Sequence, residues 1–175
     1  MDMQSTQSWL SGHYKSFSER LIRQRQHAFC GAGNAGSPMN PIEITLQALD
    51  AAERAIPPGQ PVYMLNLLRY RPQARYEDGF DAAPCSGREA FNERYRPAFR
   101  RLAAGKPLAR MFSGPFLASL VGSPGERWDE AAINEYGDFA TFRAIVDTET
   151  YRREVAPHRH AALEDFRLFA LARAI

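Results

Sequence analysis

The run Pro61-Val-Tyr-Met-Leu-Asn-Leu-Leu-Arg-Tyr70 sets the tightest limit on what this chain can fold into, because it reads as a buried strand. Its apolar stretch is short and carries a β-branched and two aromatic residues. It follows Pro57, Pro58 and Gly59 and stops at Arg71 and Pro72, so length and punctuation favour strand over helix. Asn66 breaks the apolar run. A primary amide between Leu65 and Leu67 has to find partners, since an unpaired buried amide costs about 1–3 kcal/mol. It has two readings: a satisfied core network, or the polar floor of a pocket.

A length of 175 residues suffices for one hydrophobic core and is short for two. The 45% apolar and 24% charged residues are those of an ordinary soluble domain, and no run has the length of a membrane span, so no membrane partner is expected. Cys30 and Cys85 stand in different regions and form neither a disulfide framework nor a zinc spacing, which fits a reducing cytoplasmic location. His13, His27, His158 and His160 come without a carboxylate or cysteine cluster, so neither a metal nor another cofactor is expected. The net charge of +2 resides before Met39, where Lys15, Arg20, Arg23 and Arg25 outnumber Asp2 and Glu19. The balanced remainder offers no basic face for nucleic acid.

Residues 1–38 read as an N-terminal tail and linker, and 39–175 as the folded domain. Leu10, Tyr14, Phe17 and Leu21 fall on one narrow helical stripe, so the tail is expected to be mobile or partly helical. A targeting segment, or a true start at Met39, are its other readings. Gly31, Gly33 and Gly36 match the G-x-G-x-x-G spacing of dinucleotide-binding turns. That motif needs a strand before it and a helix after it. Here Arg23 to His27 are polar, and Pro38 and Pro41 interrupt any helix on the far side, so a flexible linker is expected.

Asn40, Pro41 and Glu43 form a capping pattern for a first helix with Ile42, Leu46, Leu49 and Ile56 on one face. After the Pro61–Tyr70 strand, Pro72 to Cys85 is a polar loop turning at Asp78-Gly79. Ser86-Gly-Arg-Glu89 is a capping box, opening a helix whose apolar face is Phe91, Tyr95, Ala98, Phe99 and Leu102, with a bend at Pro97. Pro107 to Gly122 and Trp128 to Tyr136 read as a hairpin turning at Ser123-Pro-Gly125, with a bulge at Gly114-Pro115. Asp138 caps a short helix, Thr148 to Glu164 continues helically with a break near Pro157, and Arg167 to Ala174 closes as a strand. The order is helix, then β-α-β-β-α-β: an α+β, ferredoxin-like sandwich with an N-terminal helical extension and helices on one face of the sheet. The strands are apolar on both sides, so the second face needs cover: a homodimer packed sheet against sheet is the simplest, and N-terminal helices folded over it within one chain, giving a monomer, are the alternative.

Asn66-Leu-Leu68, Tyr76-Glu-Asp-Gly79, Ser86-Gly-Arg-Glu-Ala90, Trp128-Asp-Glu130 leading to Glu135-Tyr136, and His158-Arg-His-Ala-Ala-Leu-Glu-Asp165 together resemble the domain of unknown function 1330 family, over roughly Ile44 to Ile175. The resemblance implies a dimeric α/β barrel, in which two ferredoxin-like sheets pack face to face. Other members of that superfamily are cofactor-free monooxygenases, muconolactone isomerases and haem-binding proteins, with ligands held between sheet and helices. The family itself has no settled activity, and no haem-ligating histidine is matched here.

For chemistry, His158 and His160 would point roughly 200° apart on a helix, which argues against a shared metal. His158 is the candidate general base, and Glu135, beside Tyr136 in a strand, is the second candidate catalytic group. Asn66, Tyr76, Arg88 and Arg159 are the candidate ligand-binding residues; Arg159 has as its structural alternative an ion pair with Glu164 or Asp165. The expected function is binding of a small organic ligand between sheet and helices. Its alternative is a cofactor-independent enzyme, monooxygenase- or isomerase-like, acting on an oxygenated organic substrate. A closed cleft in which two or more of Asn66, Arg88, Glu135 and His158 converge would favour the enzyme, and dispersal would favour the binding module.

Overall fold

The computed structural model describes residues 42–173. The tail stripe, the glycine-rich linker and the Asn40-Pro41 helix start concern residues outside the described ones. Within them the chain is α+β, a four-stranded antiparallel sheet accompanied by helices.

Helix α1, Leu46–Ala55, starts later than expected. Thr45 is its N-cap, its Oγ1 accepting from the amide of Ala48 at 3.1 Å, so Glu43 precedes the helix instead of occupying its third position. Leu49 is buried, whereas Leu46 is 57% exposed and falls off the apolar face. Strand β1, Val62–Tyr70, comes next as read, with Val62, Met64, Leu68 and Tyr70 buried.

The Ser86 capping box forms: Ser86 Oγ accepts from the Glu89 amide at 3.2 Å, and Glu89 Oε2 accepts from the Ser86 amide at 2.8 Å. It opens α2, Gly87–Glu89, which widens into a π-helical segment, Ala90–Tyr95, before α3, Arg96–Leu102. Pro97 has no amide for the Glu93 carbonyl, and the wide turn just upstream absorbs the missing bond and the ring clash. The device recurs. Helix α4, Phe139–Val146, is capped by Asp138, whose Oδ1 accepts from the Thr141 amide at 2.7 Å. A second π segment, Tyr151–Val155, then precedes Pro157 in α5, Ala156–Ala162.

Strands β2, Leu108–Pro115, β3, Glu130–Tyr136, and β4, Leu163–Leu171, complete the sheet in the order β2-β3-β1-β4. Three expectations need correction. First, β2 ends at Pro115 instead of Gly122. Pro115 terminates an edge strand, where a missing amide is tolerated, and the chain then leaves the sheet with Leu117, Leu120 and Val121 at least 90% exposed. The Ser123 turn forms within this longer connection, through the Glu126 amide to Ser123 O at 3.0 Å. Second, the bulge lies between Arg110 and Phe112, while Gly114 and Pro115 pair regularly with Ala131 and Glu130. Third, β4 begins at Leu163 instead of Arg167. Ladder pairing with β1, Tyr70 to Leu163 and Leu68 to Phe166, overrides the local helical pattern.

Pairing fixes the faces, since alternate residues of a strand point to opposite sides. Val62, Met64, Asn66 and Leu68 share a face with Arg110, Ala132, Asn134, Tyr136, Phe166 and Leu168; the helices cover it. Tyr63, Leu65, Leu67, Phe112, Ile133, Glu135, Phe169 and Leu171 occupy the reverse face. Under the helices the core forms two clusters, one around Met64, Tyr136, Phe142 and Ile145, the other around Leu68, Phe91, Leu163 and Phe166. The second is drawn tight at Gly87. A Cβ there would lie 2.4 Å from the Ala162 carbonyl oxygen and 2.5 Å from that of Arg71, so only glycine lets these three backbones meet.

Candidate functional site

Between sheet and helices lies a cavity of about 410 Å³, lined from both core clusters and of the size that holds a small organic molecule. Met64, Leu68, Phe91, Phe142 and Phe166 supply apolar walls. The polar groups come from separate elements: Asn66 from β1, Asn134 from β3, Arg110 from β2, Arg96 and Arg100 from α3, and Arg159 from α5.

Asn66 unites its two readings. Its Nδ2 donates to the carbonyls of Met64, at 2.9 Å, and Ala132, at 3.4 Å, while the residue lines the cavity. No described residue donates to its Oδ1, which leaves an acceptor for a ligand. Arg96 belongs to a network centred on Glu130, a buried carboxylate that accepts from Tyr70 Oη and Ser113 Oγ, each at 2.8 Å, and pairs with Arg96 Nη2. Burial pushes the Glu130 carboxyl up, but those hydrogen bonds and the guanidinium outweigh it and hold it below the usual range.

Arg159 is 1% exposed. Nη1 donates to Tyr151 Oη at 2.7 Å, Nη2 lies 3.0 Å from His160 Nε2, and the guanidinium sits over the Phe166 ring at 5.4 Å. The expected pairing with Glu164 or Asp165 is absent among the described residues: Glu164 pairs with Arg69, and Asp165 with Arg167. Strand β4 starts early enough to carry both acids into the sheet. Burial, and then the Arg159 charge, push the His160 imidazole down to about 4, so His160 is a neutral acceptor.

The other expected site residues lie elsewhere. Tyr76 Oη meets His158 Nδ1 at 2.9 Å and accepts from Arg94 Nη1 at 3.2 Å, and Phe80 stacks on Tyr76 with ring centroids 5.0 Å apart. The Tyr76 oxygen can donate to a bare Nδ1 or accept from Nδ1–H, according to the His158 tautomer. Burial, then the charges of Arg94 and Arg101, lower the His158 pKa and favour its neutral ring. This cluster pins the polar loop to the helices and does not line the cavity. Arg88 stacks 4.6 Å over the Tyr70 ring. Glu135 is on the reverse face, accepting from Tyr63 Oη at 3.0 Å, so within one chain the sheet separates it from His158. Of Asn66, Arg88, Glu135 and His158, only Asn66 lines the cavity.

Sequence reasoning missed Asn134, Arg96, Arg100, Arg110 and Glu130. Asn134 had a signal, since it lies two residues before Tyr136 in a strand and so on the same face. Arg110 sits in an apolar run like Asn66, but the neighbouring bulge scrambles the alternation that would have assigned its face. The described lining contains no histidine, cysteine or carboxylate. Its phenols, Tyr95 and Tyr136, are pushed up by burial and stay protonated. The lining therefore offers hydrogen-bond donors and cations and no base.

Fold and cavity define an α+β protein with a ligand-sized space between sheet and helices. Solved structures similar to it include two. One, of the RPA0582 protein of unknown function from Rhodopseudomonas palustris, is 35% identical with a TM-score of 0.61, covering 77% of this chain and 97% of that one. The other, of methylated RPA0582 protein, is 33% identical with a TM-score of 0.63, covering 77% and 95%. The chain belongs to the family of the RPA0582 protein. No family model and no curated protein matches it. No helix among the described residues is long and apolar enough to cross a membrane, and no described group of three or more histidine, cysteine or acidic residues is placed to hold a metal.

Proposed function

We propose that this protein binds a small organic ligand in the cavity between its sheet and helices. The observation that carries the reading is the convergence of Asn66, Asn134 and the arginines on an apolar-walled space of about 410 Å³. The dispersal of Arg88, Glu135 and His158, and a described lining without a base, support binding over catalysis. Mass spectrometry of a methanol extract of the purified protein tests this: a stoichiometric small molecule is expected. An empty protein whose melting temperature responds to no amphipathic organic compound would overturn the reading.

The proposal extends to architecture. Strand order β2-β3-β1-β4, with helices on one face, supports a ferredoxin-like arrangement. The ordered motifs from Asn66 to Asp165 support membership of the domain of unknown function 1330 family within the dimeric α/β barrels. Phe112, Phe169 and Leu171, 53%, 47% and 43% exposed, share the reverse face with Leu65, Leu67 and Ile133. A second copy packed on that face is the cover the proposal assigns to it.

A further inference from the structure

We propose that the cavity selects organic anions, a carboxylate carried on an apolar body. This rests on the ligand-binding reading and adds the charge of the ligand. Four arginines line the cavity, Arg96, Arg100, Arg110 and Arg159, without a carboxylate among the described lining residues. The nearby Glu130 answers one of them: it pairs with Arg96, and its other described bonds come from Tyr70 and Ser113. None of the ion pairs among the described residues includes Arg100, Arg110 or Arg159.

Arg159 is the telling member. It is 1% exposed, it meets the Tyr151 hydroxyl and the neutral His160 imidazole, and its Nε is buried with no hydrogen-bond partner among the described residues. Arginine keeps its charge at any working pH, and a cation taken out of water is costly unless an anion meets it. The Arg159 Cζ lies 5.8 Å from the Tyr151 ring centroid and 5.4 Å from that of Phe166, so aromatic rings and not anions surround a group whose planar shape matches a carboxylate. Arg100 and Arg110 are exposed where Arg159 is buried, so the cations run from solvent into the interior and would draw an anion inward. The apolar walls, Phe91, Phe142 and Phe166 above all, suit a hydrocarbon body and not a hydrated inorganic ion. Both π segments border this space, Tyr95 from the first lining it and Tyr151 from the second holding Arg159, and such wide turns recur at functional sites.

Calorimetric titration of the full chain with octanoate and cinnamate, against octanamide and cinnamamide, tests the inference. Each acid is expected to bind at least about tenfold more tightly than its amide, a charge-assisted difference. Arg100→Gln with Arg110→Gln, both at exposed positions, should weaken the acids by about tenfold and the amides by less than about threefold. An unaltered melting temperature of that variant shows that it folds. Inorganic phosphate should not compete. Equal binding of acid and amide would overturn charge selection and leave the ligand-binding reading standing. Binding of neither would overturn charge selection, and together with an empty methanol extract it would overturn the ligand-binding reading as well; competition by phosphate would overturn selection for an organic body.

Discussion

Tyr70 Oη donates to Glu130 Oε2 at 2.8 Å, joining the last residue of β1 to the first of β3. The same carboxylate faces Arg96 and Ser113, so its removal strands a cation and two hydroxyls beneath the helices. Glu130→Ala should therefore cost about 3–5 kcal/mol, the loss seen when one partner of a buried ion pair is removed. Tyr70→Phe, which leaves the ion pair intact, should cost about 1–2 kcal/mol. Urea denaturation of the two variants compares them, and equal losses would mean that Arg96 finds another anion or solvent.

Acidification should reduce stability in two windows. His160 has a native pKa of about 4, lowered by burial and then by Arg159, against an unfolded value near 6.5. Its neutral form is the native one, so its contribution is complete above pH 6.5 and is lost as pH falls toward 4, where the unfolded chain binds the proton first. Solvent reaches part of the ring, which reduces the effect to on the order of 1–2 kcal/mol. The Glu130 contribution is complete above the unfolded carboxylate pKa and is lost only as pH falls through its lowered native value. Melting temperatures at pH 7, 5 and 4 should show the first window flattened in His160→Gln. An unchanged slope in that variant would assign it to another group.

Asn66→Ala removes the donor to the Met64 and Ala132 carbonyls and leaves a void, so a loss of about 1–2 kcal/mol is expected. Asn66→Leu keeps the bulk and should cost less. Both should weaken octanamide, whose N–H can donate to the free Oδ1, and leave octanoate unweakened, because a carboxylate has no proton to give it. Chemical denaturation paired with calorimetry separates the two roles. Unaltered octanamide affinity in both variants would reduce Asn66 to a sheet fastener.

Light scattering after size exclusion should give about twice the chain's own 19.7 kDa at micromolar concentration. A mass near 19.7 kDa would exclude the sheet-to-sheet dimer. Leu65→Asp, on the reverse face, should yield insoluble protein, because the remaining apolar surface would have no partner.

Elements announced by local chemistry were legible. The Ser86 and Asp138 caps, the Gly59 and Asp78-Gly79 turns and the β1 run each depend on residues within a few positions of one another. Elements settled by distant pairing were not. Leu163 and Glu164 continue a helical pattern and become strand because β1 lies opposite, Tyr70 pairing with Leu163. The bulge beside Arg110 is marked by no glycine or proline, and its position decides which way that arginine faces. Asn66 was found as a polar residue in an apolar run. Of the cations around it Arg159 was found too, but Arg96 and Arg100 were not, because arginine on a helix reads as solvated surface until the sheet behind it is known.

Helix α5 passes into β4 without a linker: Ala162 ends one and Leu163 begins the other. Its last turn is also tied across to the loop after β1, by the Arg71 amide to Ala162 O at 2.8 Å and the Arg75 amide to Ala161 O at 2.9 Å. The wall that carries Arg159 thus has no slack. On the opposite wall α3 reaches β2 through a closed turn, with Gly105 at a φ of +76° and the Lys106 amide donating to Ala103 O at 3.1 Å. The exposed lining residues, Arg100 and Arg110, stand on α3 and β2, so a ligand is expected to pass in and out beside them. Bound octanoate should then slow amide exchange most around Arg100 and Arg110, and protection confined to α5 would move the door. A single mouth of this kind would make departure the reverse of arrival: cargo would leave past the same two arginines, Arg100 and Arg110, that drew it in.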